Sequence, residues 1–168
     1  KGIPGGGKTK SIIDKIIYLN DKNIIQNSND FLILTFTKNA KEDFLRKGKL
    51  LSDKLFTDKN VKTIHSLSGT IFKKLFNKTS SNLSTIVASL LYYLENDDNQ
   101  IILTDVGCLK KCKVIFVDEA QDISDVQYKV IKLICKQIGI YIIMIGDPDQ
   151  NIYQYPFFDL CIFLQHPF

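Results

Sequence analysis

The chain has 168 residues, 45% of them hydrophobic and 24% charged, which suits one soluble globular domain with its own core. No apolar run approaches the ~18 residues of a membrane span, and no secretory-signal pattern follows Lys1, so a soluble intracellular protein with no membrane partner is expected. Net charge is +4, from 22 basic side chains of which Arg46 is the single arginine; this mild excess suits nucleic-acid binding and a plain solvated surface equally well.

In chain order, the start at Lys1 reads as a cut rather than a natural terminus. A glycine-rich segment leads into a predicted helix over residues 8–20. A nearly continuous apolar run at 31–36 predicts a buried strand, followed by a helix from 39 to about 47 that stops before Gly48. Residues 61–64 are a weaker strand candidate. Helices follow over 67–76 and 83–95, each trailed by a polar loop, at 77–82 and 96–99. Residues 114–117 and 140–145 predict two more buried strands. Between them runs a helix over 124–138, with Ser124 as N-cap and Gly139 as its stop. Strands alternating with helices argue for an α/β fold: a parallel sheet with helices on both faces. No internal repeat or long linker divides the chain.

Four cysteines are present, Cys108, Cys112, Cys135 and Cys161. The C-x-x-x-C spacing of the first two has no second pair or neighbouring histidine to complete a zinc set. Free thiols in a reducing compartment are the better reading.

Three motifs carry chemistry. Gly2-Ile3-Pro4-Gly5-Gly6-Gly7-Lys8-Thr9 fits G-x-x-x-x-G-K-[ST] in full. Glycines let the backbone wrap phosphate with its N–H groups inward, and the helix starting near Lys8 adds its positive end. Lys8 supplies a cation for the β- and γ-phosphates, and the Thr9 hydroxyl can ligate Mg²⁺. The residues expected around the nucleotide are Gly2, Pro4, Gly5, Gly6, Gly7, Lys8, Thr9 and Lys10; the alternative is a glycine-rich turn with a chance lysine. The second motif is the strand 114–117 ending in Asp118-Glu119-Ala120-Gln121-Asp122. Asp118 would hold Mg²⁺, and Glu119 would orient and deprotonate the attacking water; the alternative is a strand end meeting an acidic helix cap. In the third, Ile145-Gly146-Asp147-Pro148-Asp149-Gln150-Asn151-Ile152-Tyr153, a strand runs into a turn that places the Gln150 amide where it can sense a γ-phosphate. Asp-Pro-Asp is also plain turn chemistry.

Together with Thr35-Phe36-Thr37-Lys38-Asn39-Ala40 and Thr63-Ile64-His65-Ser66-Leu67, these motifs stand in the order and rough spacing of UvrD/Rep-type superfamily 1 DNA helicases, which residues 1–155 resemble. The resemblance implies a RecA-like P-loop domain that binds ATP and Mg²⁺ and translocates on single-stranded DNA, unwinding at duplex junctions. It implies that Gln121 and Gln150 couple the γ-phosphate to DNA. Phe36 and Thr37 would touch DNA, as would His65 in a loop, Tyr153, and Tyr155 as a base-stacking aromatic; for Phe36 and Tyr155 core packing is the alternative. Against that pattern the chain lacks the strand before the P-loop, the upstream adenine-reading glutamine, and the second RecA-like domain with its arginines. The stretch 68–113, where relatives insert a helical subdomain, has room for about two helices. After Tyr155 the match breaks off, so residues 156–168 are expected to be a divergent or out-of-frame tail, or else an authentic apolar strand. Two rival functions remain: a non-catalytic ATP- and nucleic-acid-binding module, and an RNA-directed superfamily 1 helicase.

Overall fold

The computed structural model describes residues 7–96 and 101–146. The element order is α1 (Lys8–Asp21), β1 (Phe31–Thr35), α2 (Lys38–Lys49), β2 (Val61–Thr63), α3 (Ile64–Phe76), α4 (Leu83–Asn96), a single turn α5 (Ile101–Thr104), β3 (Val114–Val117), a 3₁₀ turn at Ala120–Asp122, α6 (Asp125–Ile138) and β4 (Tyr141–Met144). All four strands are parallel, in the order β2-β1-β3-β4.

The unbroken apolar runs of β1 and β3 are explained by what covers them. Successive side chains of a strand face opposite ways. Phe31, Ile33, Val114, Phe116 and Ile143 pack with Ile12, Ile13 and Ile16 of α1 and Phe44 of α2. Leu32, Leu34, Ile115, Val117, Ile142 and Met144 face α3, α4 and α6 through Leu67, Ile71, Leu90, Val130 and Ile134. Both faces of the sheet are therefore buried under helices, as the sequence predicts. Among the described residues no helix is long and apolar enough to cross a membrane.

Several boundaries differ from expectation for identifiable reasons. Helix α2 does not stop before Gly48 but runs through it to Lys49. Gly48 serves there as a gap, since a Cβ on it would stand 2.5 Å from Cγ of Phe56. Strand β2 ends at Thr63, whose hydroxyl accepts from Ser66 N–H and caps α3. Ile64 thus opens that helix, three residues earlier than expected. Strand β1 closes at Thr35, so Phe36 lies beyond it. The single turn α5 and the 3₁₀ turn are additions. The expected caps of α6 are present: Ser124 and Gln127 form a reciprocal capping box, and Gly139 closes the helix at φ +69°. Cys108, Cys112 and Cys135 are free thiols, the last two buried.

Candidate phosphate and cation site

In a parallel sheet the strands end together, and ligands settle at their carboxyl ends. Just past the end of β3 at Val117, Asp118 N–H donates to Leu34 O at 2.9 Å. That bond fixes Asp118 at the sheet's edge beside the start of α1. The Thr9 hydroxyl donates to Asp118 Oδ2 at 3.0 Å, joining residues 109 apart in sequence. Lys8 Nζ lies 2.8 Å from Glu119 Oε2. Gly7 precedes both at φ +83°, a left-handed conformation that side chains resist, and its carbonyl accepts from Ser11 N–H at 2.8 Å to start the helix. The first and second motifs thus meet in one place.

The chain bends sharply after Asp118. Glu119 adopts φ 52° and ψ 51°, an uncommon region for a non-glycine residue. The bend directs the Glu119 carboxylate back to Lys8 and brings Gln121 within 2.6 Å, its Nε2 donating to Glu119 Oε2. Ala120 N–H then donates to Ile145 O at 3.0 Å, tying the 3₁₀ turn to the exit of β4. Gly146 follows, so close to the turn that a Cβ there would meet Gln121 Oε1 at 2.7 Å.

Burial is the leading influence on Asp118, which is only 3% exposed, and it raises the carboxyl above its ordinary range. The Thr9 hydrogen bond pulls the other way, Glu119 raises it further, and Lys8 lowers it. Asp122 is raised too, by burial first and then by Glu119. A buried carboxylate beside a hydroxyl is a set of hard oxygen donors that suits Mg²⁺. Lys8 and the N-terminus of α1 offer positive charge to a phosphate beside it.

The remaining predicted residues divide three ways. Phe36 is 45% exposed, which rules out the core-packing alternative for its ring. The Thr37 side chain accepts from Ala40 N–H at 3.1 Å and so caps α2, a structural task its place in the motif did not disclose. His65 is exposed, but it sits in the first turn of α3 rather than in a loop, because Thr63 caps the helix ahead of it. Lys10 is exposed on α1. Gly2, Pro4, Gly5, Gly6, Gln150, Tyr153, Tyr155 and the tail 156–168 lie outside the described residues. Gly146 stands in the third motif, but only its place between an apolar strand and Asp147 hints at the close approach to Gln121 that it allows.

Comparison with known proteins agrees with this arrangement. The AAA domain family matches residues 1–156. A protein of Acanthamoeba polyphaga mimivirus, named as an ATP-dependent DNA helicase, is 30% identical over 158 residues, covering 90% of this chain. RecBCD enzyme subunit RecB of Borreliella burgdorferi is 34% identical over 85 residues, 49% of this chain and 7% of that protein. ATP-dependent DNA helicase srs2 of Schizosaccharomyces pombe is 46% identical over 46 residues, 27% of this chain and 5% of that protein. The chain spans 22% of the length of the mimivirus relative. With a sheet that is all-parallel among the described residues, Thr9 and Asp118 brought together from distant motifs, and a family match over residues 1–156, the chain belongs to the AAA domain family, as a RecA-like P-loop domain of the UvrD/Rep helicase type.

Proposed function

We propose that this chain is the ATP-binding part of a DNA helicase motor that couples ATP hydrolysis to movement along single-stranded DNA, with residues 1–155 as the motor domain. One observation carries the reading: Lys8, Thr9, Asp118 and Glu119, from motifs whose Thr9 and Asp118 stand 109 residues apart, form a single cluster. Lys8 offers a cation to the β- and γ-phosphates, with the backbone of residues 2–7 as the rest of the cradle. Thr9 and Asp118 would hold Mg²⁺, which when bound neutralises phosphate charge. Glu119 orients the attacking water and takes its proton. Gln121, and Gln150 beyond β4, relay the state of the phosphate toward the DNA.

For DNA, the exposed ring of Phe36 supports the reading, because it stands at the end of β1, next to the strand that carries Asp118. A ring in that place can stack on a base of any identity, worth ~1–3 kcal/mol. The names of the relatives favour DNA as the track over RNA. Turnover is expected to need a second domain. Arg46 is paired with Asp43 on α2, and an arginine reaching ATP across a cleft contributes a factor of ~10³–10⁵ in P-loop enzymes. The isolated chain should then bind nucleotide and hydrolyse it slowly.

The test is titration of the 168-residue chain with fluorescent Mg-ATP beside Lys8→Ala. Binding by the parent and its loss in the variant are expected; equal affinities sink the assignment. DNA-stimulated ATPase in the whole protein, lost in Glu119→Gln, separates a motor from a non-catalytic binding module.

A further inference from the structure

Glu119 Oε2 carries two donors at once, Lys8 Nζ at 2.8 Å and Gln121 Nε2 at 2.6 Å. We propose that Gln121 is a latch that holds Glu119 against Lys8, so that phosphate competes with Glu119 for this lysine, and that Gly146 is the positioning residue that seats the latch. The proposal rests on the nucleotide-binding reading above.

A lysine paired with a carboxylate has part of its charge already answered, so phosphate competes with Glu119 for Lys8. The Lys8 and Glu119 side chains are 22% and 33% exposed. Solvent therefore screens the pair, which tunes affinity by a modest factor rather than closing the site. Gln121 is itself buried, at 4% exposure, and its amide has a fixed place to stand. Two features create that place. The left-handed backbone at Glu119 turns the chain so that the side chains of 119 and 121 meet. At the amide's other end, Gly146 leaves the space that a Cβ would take, 2.7 Å from Gln121 Oε1 and 3.1 Å from Gln121 N. Because Ile145 O accepts from Ala120 N–H, the exit of β4 and the turn bearing Gln121 are held together. A shift of the backbone after β4 would thus bear on Glu119 through one side chain, and through it on Lys8.

The latch is read by ADP affinity of the full 168-residue chain, with divalent cations chelated and ionic strength fixed. Glu119→Gln removes the charge holding Lys8 and should tighten ADP on the order of fivefold. Gln121→Ala leaves that charge in place but frees Glu119 to swing away, and should tighten ADP about twofold to threefold. In the Glu119→Gln background Gln121→Ala should add nothing, and Gly146→Ala should reproduce Gln121→Ala by displacing the amide. If Gln121→Ala unfolds the chain, Gly146→Ala in the same two backgrounds decides in its place. Unchanged affinity in the single variants, or effects that simply add, overturns the latch. Lys8→Ala without ADP binding would then leave the nucleotide reading standing, whereas a parent chain that binds no ADP overturns both.

Discussion

Replacing Gly48 by alanine sets two effects against each other inside α2. On propensity alone alanine is favoured over glycine in a helix interior by ~0.8–1.0 kcal/mol, and Gly48 has the ordinary helical backbone that would allow that gain. The added Cβ, however, would stand 2.5 Å from Cγ, 2.7 Å from Cδ1 and 3.0 Å from Cβ of Phe56. Cβ and Cγ lie on the axis about which the ring turns, so its rotation leaves the 2.5 Å approach to Cγ in place. Phe56 is fully buried, edge-on to Phe31 at 5.9 Å between centroids and tilted against Phe44 at 6.2 Å. Overpacking of this kind costs ~1–3 kcal/mol, which outweighs the propensity gain. We expect Gly48→Ala to lose about 1 kcal/mol net, read by urea unfolding followed by circular dichroism. Removing the ring and its Cγ in the same background with Phe56→Ala should make the alanine's cost smaller than it is in the parent. If Gly48→Ala instead stabilises the chain by the full propensity term, Phe56 is not held against α2 and the packing argument fails.

Three further outcomes are expected. With divalent cations chelated, Asp118→Asn should stabilise the chain at neutral pH, because burial raises the folded-state pKa of Asp118 and so disfavours its charged form. A raised pKa means the stabilising protonated form is present at acid pH and lost as pH rises through the folded value; the variant's advantage should therefore shrink on acidification, and a pH-independent difference in melting temperature would contradict the assignment. Burial pushes the Cys112 and Cys135 thiols up to about 12, so iodoacetamide at pH 8 should leave both unmodified in the native chain and label both in denaturant; peptide mapping that finds either labelled natively at the rate of a free thiol would refute their burial. Ser124→Ala removes half of the capping box and should cost about 1 kcal/mol, with no change in unfolding midpoint as the contrary result.

The parts of the fold most legible in the sequence were those in which local and global demands coincide. Strand β3 is apolar at every position, and β1 at all but its last, Thr35, because both faces are covered, and Ser124 with Gly139 bracket α6 with cap chemistry that acts within a few residues. The errors arose where a distant contact overruled a local preference. Gly48 reads locally as a stop, yet Phe56, eight positions on, makes it a gap in a continuing helix. The cap of α3 is Thr63, a β-branched residue that also ends β2, and its double duty hid three helical residues and put His65 on a helix. That the first two motifs belong together was legible from their residue types, and the structure brings Lys8 and Thr9 to Glu119 and Asp118. The internal arrangement of the site was not legible, because the Gln121–Glu119 contact depends on a left-handed backbone at a glutamate and on empty space beside Gly146, neither of which residue type announces.

The strand order has a consequence for the order of assembly. β1 sits between a near neighbour and a far one: Ile33 pairs with Val61, but Phe31 pairs with Val114. Loop closure grows only logarithmically with length, so bringing β3 in costs roughly 1 kcal/mol more than bringing in β2. During synthesis the larger difference is waiting time, because β2 is available long before β3 exists. Until β3 arrives, Leu32 and Leu34 lack their partners Ile115 and Val117, and Thr9 has no Asp118 to meet. A nucleotide that binds through both motifs therefore stabilises only the finished sheet by mass action, and cannot assist the early half of the chain to fold.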